Sequence, residues 1–450
     1  MIMKLRANIK IVAVAICTGL VLQFSSCKIE DTINPNNPSL EGALSNATVD
    51  DLNNLVVGTE SSMRNGLGTY LDDVGVVGRE IIRFSGSEPR FTSDLLGAGN
   101  AVLDNNSFYT TIPWSARYRS VKNANILLSS VENTNFPTEV QKQAYRGFAN
   151  TIKAYQLLLT ANLYNENGIR IEVADPANLG PVIKRVEALA SIAALLQTGF
   201  TQLNAAGSTF PFQLSSGFTG FNNPDGFKKV NRALAARVAV YRGQYAEALT
   251  FLNESFLSLP GDFNTGVYHV FSGATGDQLN PIFLPLNATG EVRVAQSSFL
   301  ADALAAGSAN DDRLAKIARR SSPASQSGLS GTHDLAIFKS NADPISIIRN
   351  EELILIYAEA KIQTGPAGFA DAVIAINRIR QGHKLGAYSG PLTQVALINE
   401  MLTQRRNSLF MEGHRWIDMR RYNRLNQLPI DRAGDDVWVN FPLPFSENAG

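Results

Sequence analysis

The chain has 450 residues, and its 40 lysines and arginines are balanced by 40 aspartates and glutamates, which gives a formal net charge of zero. With no basic tail or patch, the sequence lacks the electrostatic footprint of a nucleic-acid-binding protein, so no nucleic acid is expected among its partners. The four histidines are scattered without ligand spacing, and we predict neither a metal site nor a cofactor.

Residues 1–26 are predicted to form a secretory signal peptide. A basic start is followed by an apolar run from Ile11 to Leu22 and then by small residues before Cys27. The run is shorter than the roughly 20 apolar residues that a membrane-spanning helix needs. The pattern is that of a bacterial lipoprotein signal, with cleavage before Cys27 and a lipid on its sulfur. An ordinary signal followed by an incidental cysteine is the alternative.

Residues 27–40 are predicted to form a lipidated tether. The run Asn34-Pro35-Asn36-Asn37-Pro38 cannot continue a helix and has little to bury. The acidic pair Glu30-Asp31 close to the lipid resembles the surface-export signal of Bacteroidetes lipoproteins, which implies the outer face of the outer membrane. Since Cys17 lies in the discarded signal, the mature chain has no disulfide framework, and its stability must come from the size of its core.

Residues 41–450 are predicted to form one mainly α-helical domain built from helix–turn–helix pairs. The clearest pair has a small-residue helix over Ala235–Tyr241, a turn at Gly243 and a second helix from Tyr245. Small residues let antiparallel helices approach closely, and this is the tetratricopeptide pattern. The predicted pairs lie near 116–164, 229–257, 349–380 and 395–424.

Four long segments rich in Gly, Ser, Asn and Pro are predicted to be loops: 66–113, 165–180, 206–227 and 261–298. Loops of this length in a compact protein are unusual and often functional. We therefore expect a loop-rich subdomain with a few short strands, and a ligand-binding region formed mainly by 66–113, 206–227 and 261–298.

Residues 405–422 are predicted to belong to one long helix in which aromatic residues alternate with arginines. Buried guanidinium groups need carboxylate partners. We therefore interpret the arginines as structural, rather than as contacts to an anionic ligand, and His414 as a packed residue. The acidic residues predicted to pair with Arg405, Arg406 and Arg415 are Glu352, Glu359, Glu400, Glu412 and Asp418.

These features resemble the SusD/RagB family of outer-membrane nutrient-binding lipoproteins. The resemblance depends on Cys27 with its acidic pair, the Asn-Pro tether, the helix beginning Arg349-Asn350-Glu351-Glu352, the run Ala375–Arg380, and the segment from Arg405-Arg406 to Arg420-Arg421. It implies four tetratricopeptide-like units in a right-handed superhelical scaffold that carries a loop-rich subdomain. It also implies a partner, a SusC-like TonB-dependent outer-membrane transporter on which the lipoprotein sits as a lid. The C-terminus, Phe441 to Gly450, is shorter than the family's usual ending.

Two groups of residues are candidates for binding a sugar. Sugars bind to flat aromatic faces and to planar arginine, amide and carboxylate groups. The resemblance places sugar-binding residues in the first loop, where the candidates are Arg83, Phe84, Glu88, Arg90 and Phe91. An opposite wall is predicted from Phe221, Asn222, Tyr268 and Phe271. In each group, local packing of the aromatic residues is the alternative.

The predicted function is capture of oligosaccharide or polysaccharide fragments at the cell surface, without catalysis, and their delivery to the transporter. Peptide binding by the same fold is one alternative. A surface glycoside hydrolase is another, and it needs two carboxylates that face each other across the scissile bond. The adjacent pairs Asp72-Asp73 and Asp311-Asp312 do not face each other within one element. We interpret them as solvated acids and predict no catalytic residue.

Overall fold

The computed structural model describes residues 45–305 and 308–448, so the predicted signal, tether and lipidated Cys27 lie outside the described residues. The described chain is mainly helical with a few short strands. Its helices are α1 (Val49–Ser62), α2 (Leu67–Val77), α3 (Phe108–Glu132), α4 (Glu139–Tyr164), α5 (Arg185–Asn204), α6 (Pro224–Tyr241), α7 (Tyr245–Glu254), α8 (Ser297–Ala305), α9 (Asn350–Gln363), α10 (Phe369–Gly382), α11 (Gln394–Ser408), α12 (Arg415–Arg421) and α13 (Phe445–Asn448).

The strands form one small sheet and two ribbons. They are β1 (Ile81–Ser85), β2 (Ile169–Arg170), β3 (Val182–Ile183), β4 (Gly266–His269), β5 (Glu291–Ala295), β6 (Ile317–Gln326), β7 (Leu329–Leu335) and β8 (Ile345–Arg349). The sheet has the antiparallel order β1-β5-β7-β6, while β2 pairs with β3 and β4 pairs with β8. Within the described ranges, no helix is both long enough and apolar enough to cross a membrane.

In the helical scaffold, most helices pack against the helices next to them in the chain. Helix α4 packs on α3 and α5, α6 packs on α5 and α7, and α9 packs on α7, α10 and α11. The α4–α5 crossing depends on glycine, because a Cβ added at Gly147 would lie 2.6 Å from the side chain of Leu203. Helix α4 begins with a capping box between Thr138 and Gln141, which satisfies two backbone N–H groups at its first turn. The predicted pairs correspond to α3–α4, α6–α7, α9–α10 and α11–α12, and α5 adds a helix that the pair pattern missed.

The long helix predicted over 405–422 is wrong, because the segment forms two helices. Helix α11 ends at Ser408, and α12 begins at Arg415. Between them the backbone enters the left-handed region at Met411 (φ 62°) and Gly413 (φ 84°), a conformation that a continuous helix excludes. The reversal brings Asp418 of α12 back against Arg405 of α11, with a nitrogen–oxygen distance of 2.7 Å.

The loop predicted over 66–113 is also wrong for much of its length, since it contains α2, β1 and the start of α3. Its glycines suggested a loop, but two of them serve close packing inside α2. A Cβ at Gly68 would lie 2.7 Å from Pro281, and one at Gly75 would lie 2.8 Å from the sulfur of Met411. The predicted loops 206–227 and 261–298 similarly include the start of α6 and strands β4 and β5.

Candidate functional site

The first two candidate ligand contacts, Arg83 and Phe84, are buried in strand β1. Phe84 is only 4% exposed, so its ring cannot cover a sugar. The guanidinium of Arg83 pairs with Glu291 and donates to the backbone carbonyl of Phe84 at 2.9 Å. Strand β1 is buried at every position because the helical body covers it. Arg83 and Phe84 are therefore part of the core rather than exposed groups.

The other three candidates of the first group lie together in the turn that follows β1. Glu88 caps the short 3-10 turn Pro89–Phe91 by accepting the backbone N–H of Arg90 at 3.1 Å. The guanidinium of Arg90 donates two further bonds to this carboxylate, at 2.7 and 2.6 Å. The Arg90 side chain is 44% exposed, whereas the Phe91 ring is buried.

The structure adds Phe108, at the start of α3, to this turn. The guanidinium of Arg90 lies 5.1 Å from the centre of the Phe108 ring and donates to Ser107 Oγ at 3.1 Å. Phe91 packs edge-on against the same ring at 5.1 Å between centroids. Phe108 is partly exposed, so the turn presents an aromatic face beside a planar guanidinium.

Glu291 supplies a second carboxylate at the same edge, since strand pairing places it directly opposite Ser85. It accepts a hydrogen bond from Ser87 Oγ at 3.3 Å and forms the ion pair with Arg83 described above. Its side chain remains 42% exposed. We call the exposed or partly exposed set Ser87, Glu88, Arg90, Phe108 and Glu291 the β1 edge surface.

The electrostatics of the β1 edge surface keep its Arg–Glu pair ionised. The hydrogen bond from Arg90 lowers the pKa of Glu88, and the same bond raises the pKa of Arg90. Both groups therefore stay charged at neutral pH, and their planar hydrogen-bonding groups are held rigidly by each other. The sequence placed Phe108 in the same region, with packing of its ring as the alternative, and gave no sign of Glu291, because only strand pairing brings Glu291 to the turn.

The residues of the second predicted group each contact different neighbours. The Phe221 ring is buried against Phe256, with centroids 4.9 Å apart, and Asn222 is exposed beside it. Tyr268 lies in β4, and its hydroxyl donates to the carbonyl of Asn264. Phe271 is buried beneath the guanidinium of Arg64, 5.8 Å from its ring centre.

Tyr268 does line a cleft of about 310 Å³ beside α1, which we call the α1 cleft. Arg64 donates across the cleft to Asp277 at 2.6 Å and to the carbonyl of Val270 at 2.7 Å. Glu60 accepts the backbone N–H of Ser215 at 3.1 Å, and burial raises its pKa. Arg64, Asp277 and Glu60 thus already have protein partners.

His269 also lines the α1 cleft but is buried. Burial, with smaller contributions from Arg117 and Arg64, lowers its pKa to about 3, so the ring is neutral at physiological pH. Within residues 45–305 and 308–448, no hydrogen bond, ion pair or ring contact joins the first candidate group to the second. Phe84, Phe91, Phe221 and Phe271 are buried, so these four rings cannot line an open site.

The adjacent acidic pairs are mostly buried, and their interpretation as solvated acids is wrong for three of the four carboxylates. Asp72 is held by Arg293 through two hydrogen bonds of 2.6 and 2.7 Å. Asp73 is fully buried, and burial together with the neighbouring Asp72 raises its pKa well above the ordinary range. Asp311 is buried against Arg313 at 2.7 Å, and only Asp312 is exposed.

The predicted pairing of the three arginines is confirmed in full only for Arg405, since Arg406 has a partner outside the expected set and Arg415 forms no ion pair within the described residues. Arg405 contacts Asp418, whereas Arg406 contacts Asp302. His414 is buried, with its Nδ1 atom 3.3 Å from the hydroxyl of Tyr241, in keeping with a packed residue. Among the described residues, no group of three or more His, Cys, Asp or Glu side chains is arranged to hold a metal ion.

Comparison with known proteins identifies the fold. Residues 332–438 match the SusD family. No curated protein sequence matches the chain. A SusD superfamily protein from Bacteroides vulgatus is 16% identical, with a TM-score of 0.67 over 89% of this chain and 96% of the other.

Two further solved structures share the fold. Surface glycan-binding protein A from Bacteroides thetaiotaomicron is 13% identical, with a TM-score of 0.69 over 89% of this chain and 96% of the other. A SusD-like carbohydrate binding protein from Bacteroides vulgatus is 14% identical, with a TM-score of 0.55 over 84% of each chain. Residues 332–438 thus match the SusD family, and most of the chain shares the fold of a solved SusD superfamily protein.

Proposed function

We propose that this protein binds oligosaccharides or polysaccharide fragments at the cell surface without catalysis, and that the β1 edge surface is its contact region. The observation that carries the proposal is the exposed Arg90–Glu88 pair beside the Phe108 ring, next to the carboxylate of Glu291. The two glycan- and carbohydrate-binding proteins that share the fold support the same ligand class.

The chemistry of the β1 edge surface suits a sugar. The partly exposed ring of Phe108 offers an apolar face for the C–H side of a pyranose. Carboxylate oxygens of Glu88 and Glu291 accept hydrogen bonds from hydroxyl groups, and Ser87 can donate or accept. Because these groups lie on an open turn rather than in an enclosed pocket, the surface suits one stretch of a longer chain.

The cellular setting is part of the proposal. Lipidation of Cys27 anchors the protein to the outer membrane, facing the cell exterior, and a SusC-like TonB-dependent transporter receives the captured glycan. Support comes from the signal pattern before Cys27, the Asn-Pro tether and the match of residues 332–438 to the SusD family. Co-purification of a TonB-dependent transporter with the full-length chain from its own outer membrane tests the partner.

Substitutions in the β1 edge surface test the ligand contact. Arg90→Ala and Phe108→Ala should each lower affinity for a captured glycan about tenfold, because each removes roughly 1–2 kcal/mol of stacking or charge-assisted hydrogen bonding. Affinity electrophoresis against a panel of plant, host and microbial polysaccharides finds the glycan, and calorimetric titration measures the effect.

Arg146→Ala is the matched control, because it removes an Arg–Glu pair on the surface between α3 and α4. Equal glycan affinity in the wild type and both β1 edge variants would place the site elsewhere. Binding to a peptide pool with no glycan bound would favour the peptide alternative. Release of new reducing ends from a bound glycan would favour the hydrolase.

A further inference from the structure

A cavity of about 650 Å³ lies between α8, α11 and α12, far larger than the α1 cleft. Its volume is within the range of ligand-binding pockets, roughly 300–1,000 Å³. It is lined by residues of the arginine-rich segment, including Arg406 and Arg415. We call it the α11 cavity.

The α11 cavity carries more positive than negative charge. Four of its lining residues are arginines, and two are acidic: Arg380, Arg406, Arg415, Arg424, Asp302 and Glu400. Arg380 pairs with Glu400 at 2.5 Å, and Arg406 pairs with Asp302. Within the described ranges, the guanidinium groups of Arg415 and Arg424 form neither an ion pair nor a hydrogen bond. Two positive charges therefore remain without a carboxylate.

Of these two arginines, Arg415 is the one whose burial costs the protein more stability. Its Nε atom is buried and has no acceptor. Burial, together with the neighbouring Arg406, lowers the pKa of Arg415 to about 10, yet the group stays charged at neutral pH. A buried donor without an acceptor costs about 1–3 kcal/mol, and more when it is charged. The two Nη atoms of Arg415 also form no hydrogen bond within the described residues, and an oxyanion in the cavity would supply acceptors to them.

Glu80 is a buried carboxyl that acts electrostatically on Arg415. One of its oxygens accepts the backbone N–H of Met411 at 3.1 Å, and the other has no partner. Burial raises the pKa of Glu80 to about 7, so the group is only partly ionised at neutral pH. It makes no ion pair with Arg415, which leaves that guanidinium available to a ligand.

The rest of the lining is polar with a small apolar part. The side-chain amides of Asn399 and Gln427 face the cavity and form no hydrogen bond within the described part of the chain. Val395 and Met419 contribute apolar surface. Amides beside a modest apolar area suit a ligand with hydroxyl groups, and guanidinium groups suit a carboxylate or sulfate.

We propose that the α11 cavity binds the carboxylate or sulfate group of an acidic sugar, with Arg415 and Arg424 as its principal contacts. The sugar part of this assignment rests on the proposed function, whereas the anion part rests on the cavity alone. The α11 cavity is separate from the β1 edge surface, because no residue is common to the two sets.

The test is a titration of the full mature chain with four probes at low ionic strength, followed by NMR or calorimetry. The probes are galacturonic acid, galactose 6-sulfate, galactose and inorganic sulfate. Galacturonic acid or galactose 6-sulfate should bind at least about tenfold more tightly than galactose and than inorganic sulfate. Added salt should weaken this binding, because screening reduces the attraction between the charges.

Arg415→Gln and Arg424→Gln should each lower acidic-sugar affinity at least about tenfold. Arg119→Gln is the matched control, since Arg119 is an exposed arginine on α3, outside the cavity. If Arg415→Gln does not fold, Arg424→Gln tests the cavity instead. Arg424 is partly exposed and forms no ion pair within the described residues, so its substitution should leave the fold intact.

Three results would overturn the proposal. They are failure of both acidic sugars to bind, unchanged affinity in both cavity variants, and inorganic sulfate binding as tightly as the acidic sugars. If the first occurs in protein that still captures a neutral polysaccharide, the cavity assignment is lost while the proposed function stands.

Discussion

Buried arginine–carboxylate pairs hold neighbouring helices of the scaffold together. Arg405 contacts Asp418 at 2.7 Å, Arg421 contacts Glu359 at 2.7 Å, and Arg237 contacts Glu352 at 2.6 Å. All these carboxylates are buried. Burial alone would raise the pKa of Asp418, but Arg405 and Arg421 together lower it to about 2. The pair is therefore ionised in the folded protein and depends on both partners.

Neighbouring arginines in this segment should differ sharply in their effect on stability. Arg405→Met removes one partner of a buried pair and should lower the free energy of unfolding by about 3–5 kcal/mol. Arg406→Met is the comparison, because its partner Asp302 is 65% exposed and water can solvate that carboxylate once the arginine is removed, so the loss of stability should be clearly smaller. Urea denaturation at pH 7 measures both.

The pH dependence of the Arg405 effect follows from Asp418. Its folded pKa is depressed, so its contribution is present above the unfolded value near 3.8 and is lost as the pH falls towards 2. The difference between wild type and Arg405→Met should therefore shrink below about pH 4. Equal free energies of unfolding for Arg405→Met and Arg406→Met at pH 7 would show that the Arg405–Asp418 pair does not hold α11 and α12 together.

At the scale of elements, the turn between α11 and α12 is fastened to strand β1. The side chain of Glu80 accepts the N–H of Met411 at 3.1 Å, and its backbone carbonyl accepts the N–H of Gln296 at 2.9 Å. Met411 packs where a Cβ on Gly75 of α2 would clash. One buried carboxyl thus joins the sheet to the C-terminal helices, and with them the β1 edge surface to the α11 cavity.

Glu80 should make the fold less stable at alkaline pH. Its folded pKa, about 7, is raised above the ordinary 4.5, so its contribution is full below pH 4.5 and is lost as the pH rises through 7. The loss should reach about 3 kcal/mol. Glu80→Gln removes the ionisation, and its stability relative to wild type should therefore rise between pH 4.5 and 8.5.

Denaturation curves of wild type and Glu80→Gln across this range measure the difference. Glu187→Gln, at an exposed position on α5, is the control and should show no such trend. A stability difference between Glu80→Gln and wild type that stays constant from pH 4.5 to 8.5 would contradict the assignment.

Across the whole molecule, the chain after α12 contacts parts of the described fold that are far apart in sequence. Arg79, next to β1, donates to the carbonyls of Pro429 and Asp436 at 3.1 and 2.6 Å. Phe441 packs edge-on against Trp416 and Tyr109, and its backbone N–H binds the carbonyl of Leu163 at the end of α4. The C-terminal segment therefore covers α3, α4 and α12 at once.

Phe441→Ala should destabilise the whole fold, because Phe441 is fully buried among three helices. Loss of such a ring costs about 3–5 kcal/mol through reduced burial and the cavity that remains. Val439→Ala, two residues earlier and 51% exposed, is the control and should change stability by less than about 0.5 kcal/mol. Urea denaturation measures the two variants, and equal effects would show that the C-terminal segment is not part of the core.

The sequence by itself determined the helical class and the helix pairs, because small-residue spacing and glycine turns act between near neighbours along the chain. It also identified the turn with Glu88 and Arg90, whose bonds are local. Tertiary structure decided the rest. Strand pairing places Glu291 beside Ser87. Phe84 is buried by packing from outside its strand, and Asp72 is buried in contact with Arg293. The partners in these contacts are separated by hundreds of residues, and no local pattern specifies which distant surface will cover a given side chain.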